Sequence, residues 1–204
     1  ALLIAVGTLR KPATIQVVGS HGLSYVDMTA DMMKSFGVGV VKVDINGQIC
    51  YEFSGEGSYR ALEYNVEPDM SAAAYFYALA AVLGVKICVK GITNQMLQGD
   101  VEFLDLLVKM GCTIEAETGN VVVQGPKDGN LKGGFTVDMS AFSDQALTLA
   151  AIAPFANAPI TITGIGHIRV QECDRIQAIV QNLTALGIKV EEKEAEVTIY
   201  PGTV

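Results

Sequence analysis

The sequence repeats one pattern three times along its 204 residues. Each copy contains an apolar run, a short β-branched stretch that ends at a glycine, a polar loop, and an amphipathic run that ends at a second glycine. The first kind of glycine recurs after 72 and 73 residues, and the second kind after 74 and 76. These glycines are Gly19, Gly91 and Gly164 for the first kind, and Gly37, Gly111 and Gly187 for the second. Because two independent markers give nearly the same period, we predict a chain built from three copies of one supersecondary unit.

The amphipathic run of each copy predicts a helix, because its apolar residues recur at spacings of three and four. In the third copy these residues are Ile176, Ile179, Val180, Leu183 and Leu186. The glycine that follows can adopt the left-handed backbone that ends many helices. Two short stretches of mostly alternating apolar and polar residues come next and predict strands with one buried face. Each copy is therefore predicted to run helix, strand, loop, helix, strand, strand.

Turn-forming residues interrupt this pattern between the first and second copies. Residues 54–60 are rich in glycine and serine, and Pro68 disfavours a helical residue before it. A second loop, residues 124–134, separates the later copies and is interpreted as a turn inside one domain. The sequence thus predicts one domain boundary, which divides residues 1–66 from residues 67–204.

Charge and composition exclude several classes of partner. The chain has 14 basic and 22 acidic residues, a formal net charge of -8, which disfavours nucleic acid because duplex binding relies on many Lys and Arg contacts to phosphate. The longest apolar stretch, residues 71–85, is shorter than the roughly 20 residues that span a bilayer, so no membrane partner is predicted. The 4 cysteines are scattered without a CxxC pair, which predicts neither zinc nor disulfides and favours a cytoplasmic location.

The densest polar segment is residues 169–175, which read Arg-Val-Gln-Glu-Cys-Asp-Arg. It lies between the strand that ends at Gly164 and the next helix. Arginines beside a helix N-terminus suit an anion, and a carboxylic acid in such a loop can deliver a proton. The structural alternative is that Asp174 caps the helix while its charged neighbours form surface ion pairs of little energetic value. Spacing alone leaves both interpretations open.

Two aspartates precede helices at comparable places, Asp144 in the third copy and Asp69 in the second. An acid at a helix start is commonly a cap or a partner of the helix dipole, so a structural role competes with a catalytic one. His167 lies in the same loop as Glu172. Without cysteines or carboxylates at ligand spacing we predict no metal, and His167 is either a polar substrate contact or a surface residue.

Five motifs, in their order along the chain, resemble those of a known family. They are Tyr25-Val-Asp-Met-Thr, Gln98-Gly-Asp, Val137-Asp-Met, Ser143-Asp-Gln-Ala-Leu-Thr and Arg169-Val-Gln-Glu-Cys-Asp-Arg. The sequence resembles the enolpyruvyl transferases, and most closely the 5-enolpyruvylshikimate-3-phosphate synthases, over essentially its whole length. The most specific part is Glu-x-Asp-Arg after a strand, with Asp-x-x-x-Thr earlier in the chain.

The resemblance implies a fold and a place for this chain within it. The family has an inside-out α/β barrel fold, with two domains of three βαβαββ units each and an active site in the cleft between them. Residues 1–66 would be the last unit of the first domain, and residues 67–204 two units of the second. The opening at Ala1, without an initiator methionine or a capping residue before an apolar run, also predicts a fragment of a longer protein. We expect such a fragment to be inactive alone.

The activity implied by the resemblance is transfer of the enolpyruvyl group of phosphoenolpyruvate to shikimate 3-phosphate, with release of phosphate, in aromatic amino-acid biosynthesis. It needs no metal or organic cofactor, and the full-length enzyme is expected to be a monomer that binds two small substrates. By matched position, Asp144 resembles the base and Glu172 the proton donor. Arg175 resembles the arginine that binds phosphoenolpyruvate, and Tyr25 resembles a tyrosine that lines the shikimate site.

Two further residues are expected to contact substrate, although they depart from the family pattern. Gln171 stands where the family commonly has a lysine for the shikimate phosphate, and it offers a hydrogen bond without a charge. His167 stands where the family often has asparagine. Two alternatives remain: enolpyruvyl transfer to another hydroxyl, such as that of a UDP-amino sugar, and a non-catalytic repeat module on the same scaffold.

Overall fold

The chain divides into two compact units, Ala1–Val66 and Glu67–Val204. The computed structural model describes residues 1–19, 22–117 and 119–203. Each unit combines helices with antiparallel strand pairs, so the prediction of a mixed α/β fold is confirmed. Over these described ranges, no helix is both long enough and apolar enough to cross a bilayer.

The first unit holds one copy of the repeat. Its elements are α1 (Leu2–Val6), β1 (Ala13–Gln16), α2 (Leu23–Ser35), β2 (Val41–Ile45) and β3 (Gln48–Phe53). The strands form an antiparallel sheet in the order β1-β3-β2. The helices contribute Leu3, Val6 and Met33 to the core, and β3 contributes Tyr51 and Phe53.

The second copy opens the second unit. Its elements are α3 (Met70–Leu83), β4 (Lys86–Lys90), a 3-10 turn (Gly99–Glu102) that leads into α4 (Phe103–Lys109), β5 (Thr113–Glu117) and β6 (Asn120–Gln124). Its sheet has the order β4-β6-β5 and is antiparallel throughout.

The third copy completes this unit. Its elements are β7 (Phe135–Asp138), a 3-10 turn (Ser143–Gln145) that leads into α5 (Ala146–Ile152), β8 (Ile160–Thr163), a 3-10 turn (Gly166–Val170), α6 (Arg175–Ala185), β9 (Val190–Glu192) and β10 (Val197–Ile199). Its sheet has the order β7-β8-β10-β9, in which β7 and β8 are parallel and the other pairs antiparallel.

The predicted order of helix, strand, helix, strand, strand is observed in all three copies. In each sheet the last strand of the copy lies between the two before it. The helices α2, α4 and α6 each end two residues before a glycine with a φ of 95, 99 or 81°, as the helix-ending glycines predicted. One strand was not predicted, because the four residues of β7 are too few to show a period. With β7 included, the third copy is βαβαββ.

The core of the second unit lies between α3, α5 and the two sheets. Ala73, Ala74, Ala80 and Ala81 on α3 are buried, and their small side chains let α3 pack closely against its neighbours. Tyr77 is the largest buried side chain of this helix, and its hydroxyl donates to the Val121 carbonyl at 3.0 Å. This bond ties α3 to the central strand of its sheet.

Replacing Tyr77 with phenylalanine should lower the free energy of unfolding by about 1 kcal/mol at pH 7, because the Val121 carbonyl loses its donor. Burial raises the pKa of Tyr77 to about 12, so the native state holds this proton more tightly than the unfolded chain does. The stabilisation by the hydroxyl is complete below about pH 10 and is lost as the pH rises to about 12. The difference in free energy of unfolding between the wild type and Tyr77→Phe, measured by urea unfolding, should therefore shrink between about pH 10 and about pH 12.

Tyr75→Phe is the matched control, since Tyr75 lies on the same helix with 65% of its surface exposed. It should change the free energy of unfolding by less than about 0.5 kcal/mol. Equal losses in the two variants would contradict the role given to the Tyr77 hydroxyl.

Candidate active site

Two turns and one helix start meet in the second unit. The turn Ser143–Gln145 precedes α5, and the turn Gly166–Val170 follows β8. Residues 171–174 then lead into the first turn of α6. Since α5 packs against α6, the segments that precede these helices are brought close together in space.

Arg175 joins the two carboxylates that the sequence singled out. Its Nη1 donates to Asp144 Oδ1 at 2.8 Å, and its Nη2 donates to Glu172 Oε2 at 2.5 Å. The Arg175 side chain is only 20% exposed, whereas Asp144 is 37% and Glu172 78% exposed. One partly buried guanidinium therefore binds two carboxylates, the less exposed Asp144 and the more exposed Glu172, which are 28 residues apart in sequence.

The charge state of Glu172 follows from this arrangement. A hydrogen bond from its own backbone N–H and the hydrogen bond and charge of Arg175 lower its pKa. Glu172 is therefore ionised at neutral pH, and it can act as a proton donor only after it leaves Arg175 and takes up a proton.

Asp174 and Arg169 have structural roles, as the structural alternative proposed for this segment. Asp174 caps α6 by accepting from the Gln177 N–H at 2.9 Å, and this bond is the main cause of its lowered pKa. Arg169 donates to Asp174 at 2.9 Å and to Glu192 at 2.7 Å, and it also bonds two backbone carbonyls of the β9–β10 turn. Arg169 therefore holds the loop against the edge of the sheet, and all three of its guanidinium nitrogens donate hydrogen bonds.

The two aspartates that precede helices differ in role. Asp69 caps α3 by accepting from the Ala72 N–H at 3.1 Å. Asp144 lies within its 3-10 turn, and the start of α5 has no side-chain cap. Its carboxylate is directed to Arg175 instead, so its position is not explained by helix capping.

The three expected substrate contacts have different surroundings. The Nε2 of His167 is 2.9 Å from the hydroxyl oxygen of Ser143, which places this histidine beside the turn that carries Asp144. Gln171 is exposed and directly precedes Glu172. Tyr25 lies in the first turn of α2 in the first unit, with 41% of its surface exposed. Their roles in binding remain predictions.

Three buried polar residues around Asp144 were not assigned a role from the sequence. Ser143 and Gln145 flank Asp144 and are 5% and 1% exposed, and Asp100 is 4% exposed. The available signal for Asp100 was the Gln98-Gly-Asp motif, which resembles a motif of the family but was given no role. Within the described ranges, no group of three or more His, Cys, Asp or Glu is placed to hold a metal ion.

Comparison with known proteins identifies the family. The sequence model of EPSP synthase (3-phosphoshikimate 1-carboxyvinyltransferase) matches residues 1–204. The chain belongs to the EPSP synthase family. The resemblance that the five motifs carried is thereby confirmed.

Members of the EPSP synthase family with similar sequences are longer than this chain. The 3-phosphoshikimate 1-carboxyvinyltransferase of Nostoc punctiforme is 42% identical over 205 residues, which cover 100% of this chain and 47% of the relative. The enzyme named 3-phosphoshikimate 1-carboxyvinyltransferase 2 of Halalkalibacterium halodurans is 43% identical, over 99% of this chain and 44% of the relative. The chain thus spans just under half the length of these curated relatives.

Solved structures agree with this fold assignment. EPSP synthase from Acinetobacter baumannii superposes with a TM-score of 0.69 at 24% identity, over 95% of this chain and 44% of that one. The enolpyruvyl transferase NikO from Streptomyces tendae superposes with a TM-score of 0.64 at 18% identity. At these identities the likeness shows the EPSP synthase fold alone.

Changing Arg175 to glutamine should raise the pKa of Glu172 toward its ordinary value, because the variant loses the charge and hydrogen bond that favour the carboxylate. A carbon-13 NMR titration of the glutamate carboxyl groups measures this directly. Arg169→Gln is the matched control, since Arg169 bonds Asp174 and Glu192 and not Glu172. An unchanged pKa for Glu172 in Arg175→Gln would show that Arg175 does not control its protonation.

Proposed function

We propose that this chain is part of an enzyme that transfers the enolpyruvyl group of phosphoenolpyruvate to shikimate 3-phosphate and releases phosphate. Membership of the EPSP synthase family supports the reaction class. The observation that carries the proposal is the Arg175 guanidinium bound at once to Asp144 and Glu172. Addition of a hydroxyl across an enol needs a base, an acid and a cation for a negatively charged substrate, and this arrangement supplies all three.

Asp144 acts as the base in this proposal and Glu172 as the acid. Asp144 accepts the proton of the acceptor hydroxyl as that oxygen bonds to C2 of phosphoenolpyruvate, and Glu172 protonates the C3 methylene to a methyl group. In the second step C3 returns a proton to Glu172 as the C2–O bond to phosphate breaks, and the departing phosphate takes up the proton that Asp144 holds. The vinyl ether and phosphate are then formed without any redox change, so the proposal needs no cofactor.

Arg175 binds phosphoenolpyruvate in this proposal, and it must first exchange partners. Glu172 is the partner that an anionic substrate displaces more readily, because it is 78% exposed while Asp144 is 37% exposed. Once displaced, Glu172 loses a contact that lowers its pKa, and the negative charge of the bound substrate raises that pKa further, which favours uptake of the proton that Glu172 has to donate. Substrate binding thus promotes protonation of the acid.

The remaining substrate contacts are assigned by their place around this centre. His167 and Gln171 lie in the segment that carries Glu172, and we assign both to the shikimate 3-phosphate side. Gln171 offers its amide to the phosphate without adding charge. Tyr25 is assigned to the shikimate ring from the first unit.

The same proposal extends to the domain arrangement, location and partners of the whole protein. Residues 1–66 form the last repeat unit of the first domain, and residues 67–204 form two units of the second, in an inside-out α/β barrel fold. The shared strand order of the three sheets supports this arrangement. We infer a cytoplasmic monomer that binds two small substrates, with neither nucleic acid nor a membrane as a partner.

Phosphate release from phosphoenolpyruvate tests the reaction and the acceptor together. The assay uses a full-length protein that contains residues 1–204, with and without shikimate 3-phosphate. Release that depends on shikimate 3-phosphate supports the proposal. Release with a UDP-amino sugar alone would replace the acceptor, and no phosphate release with either acceptor would favour a non-catalytic module.

In the same full-length protein, Asp144→Ala and Glu172→Gln should each lower kcat by about 100- to 10,000-fold, the usual contribution of a general base or acid. Asp69→Asn is the matched control, because Asp69 has the comparable place before a helix but caps it. Asparagine also caps helices, so this variant should keep kcat within about twofold. Near-normal turnover by either test variant, or an equal loss in the control, would remove the assigned roles.

A further inference from the structure

Asp27 belongs to the same motif as Tyr25 and lies two residues after it on α2. Its carboxylate joins this helix to two strands of the first unit. The Oδ1 atom accepts a hydrogen bond from the hydroxyl of Tyr51, on β3, at 2.7 Å. The Oδ2 atom accepts one from the ammonium group of Lys42, on β2, also at 2.7 Å. Both oxygens of Asp27 therefore bind the sheet.

The bond between Asp27 and Tyr51 is the stronger of the two. Tyr51 is only 1% exposed, so its hydroxyl needs a partner within the protein, and a carboxylate is a strong acceptor. Burial and the hydrogen bond to Asp27 raise the pKa of Tyr51, so the hydroxyl keeps the proton that it donates. The side chains of Lys42 and Asp27 are 39% and 40% exposed, and an ion pair with that exposure contributes little energy. A buried hydroxyl thus holds Asp27 in place.

Apolar burial fixes α2 mainly near its C-terminal end. Among the residues of this helix, all of which the structure describes, Met33 alone is fully buried. Val26 and Ala30 pack against the same core but stay partly exposed. Gly22, which precedes the helix, has no side chain that could cap it. The polar contacts of Asp27 therefore hold the start of the helix, where apolar burial is incomplete.

The direction of the Asp27 side chain determines the direction of Tyr25. An α-helix turns by about 100° per residue, so side chains two residues apart point to nearly opposite sides, about 200° apart. Because Asp27 faces the sheet, Tyr25 faces away from it, in agreement with its 41% exposed surface. A rotation of α2 about its axis, or a shift of its first turn, would therefore move the ring of Tyr25.

We propose that Asp27 is a positioning residue, which binds Tyr51 and Lys42 to fix the first turn of α2 and so holds Tyr25 in place for the acceptor substrate. The proposal deepens the proposed function, since it takes Tyr25 as a contact of shikimate 3-phosphate. Asp27 acts on the substrate only through Tyr25, because its two oxygens are directed to the sheet.

The test compares Asp27→Leu with Asp27→Asn in a full-length protein that contains residues 1–204. Leucine removes both bonds to the sheet, whereas asparagine keeps an oxygen that can accept from Tyr51. We expect Asp27→Leu to raise KM for shikimate 3-phosphate by about 5- to 10-fold, the usual effect of losing one hydrogen bond, and KM for phosphoenolpyruvate by less than about twofold. Asp27→Asn should recover most of the loss. A merely structural role would lower the amount of active enzyme and leave both KM values unchanged.

Asp31→Leu is the matched control, because Asp31 is an exposed aspartate one turn further along α2. It should keep both KM values within about twofold of the wild type. Tyr25→Ala should raise KM for shikimate 3-phosphate as Asp27→Leu does, and the two together should cost no more than either alone, because both remove the same contact. Wild-type KM values in Asp27→Leu, an equal rise for both substrates, or fully additive losses would overturn the proposal.

A second variant removes the same two bonds and leaves Asp27 in place. Tyr51→Phe combined with Lys42→Met keeps the buried ring and changes an exposed side chain, so it carries the test if Asp27→Leu does not fold. It should raise KM for shikimate 3-phosphate as Asp27→Leu is expected to do. An unchanged KM in this double variant would equally count against the positioning role.

A readout without turnover separates this inference from the proposed function. Crystal structures should show the ring of Tyr25 displaced relative to β3 by about 1 Å or more in Asp27→Leu, a shift large enough to impair a substrate contact, and unmoved in Asp27→Asn. If the wild-type protein does not bind shikimate 3-phosphate, the proposed function fails while this structural comparison still stands. If Tyr25 keeps its place in Asp27→Leu, the positioning role fails whatever the KM values.

Discussion

The bonds from Arg175 to Asp144 and Glu172 are the interaction on which the account of this protein depends. A guanidinium is always charged, so burying four-fifths of its side chain requires anionic partners close by. Here those partners are the two carboxylates with the chemistry that an enolpyruvyl transfer needs. In the proposed mechanism, an anionic substrate replaces one of these two carboxylates on Arg175.

The repeated fold brings Asp144 close to Arg175 and Glu172. Each copy of the repeat contains a helix, a strand and a second helix in that order. In the third copy these two helices are α5 and α6, and their packing places the starts of both helices close together. The cap at Asp174 and the contacts of Arg169 hold the loop that leads into α6. Residues 169–175 thus contain the structural residues Arg169 and Asp174 together with the candidate site residues Glu172 and Arg175.

Much of this could be predicted from the sequence, and the exceptions have physical causes. The recurring glycines predicted the order of helices and strands, because glycine readily adopts the left-handed backbone that ends many helices. It missed β7, whose four residues pair with β8 only through a tertiary contact. Spacing could not separate Asp144 from Asp69, since both precede helices and only the partner of each carboxylate distinguishes them. No role was predicted for Asp100, although it belongs to the Gln98-Gly-Asp motif, because its burial is not visible in a linear pattern.

The most direct test of the central claim is a crystal structure of a full-length protein that contains residues 1–204, as the Asp144→Asn variant, with shikimate 3-phosphate and phosphoenolpyruvate bound. The account predicts that Arg175 contacts an anionic oxygen of phosphoenolpyruvate, that Glu172 has left Arg175 for the C3 methylene, and that residue 144 faces the acceptor hydroxyl. A structure in which Arg175 still holds Glu172, with phosphoenolpyruvate bound elsewhere, would contradict it.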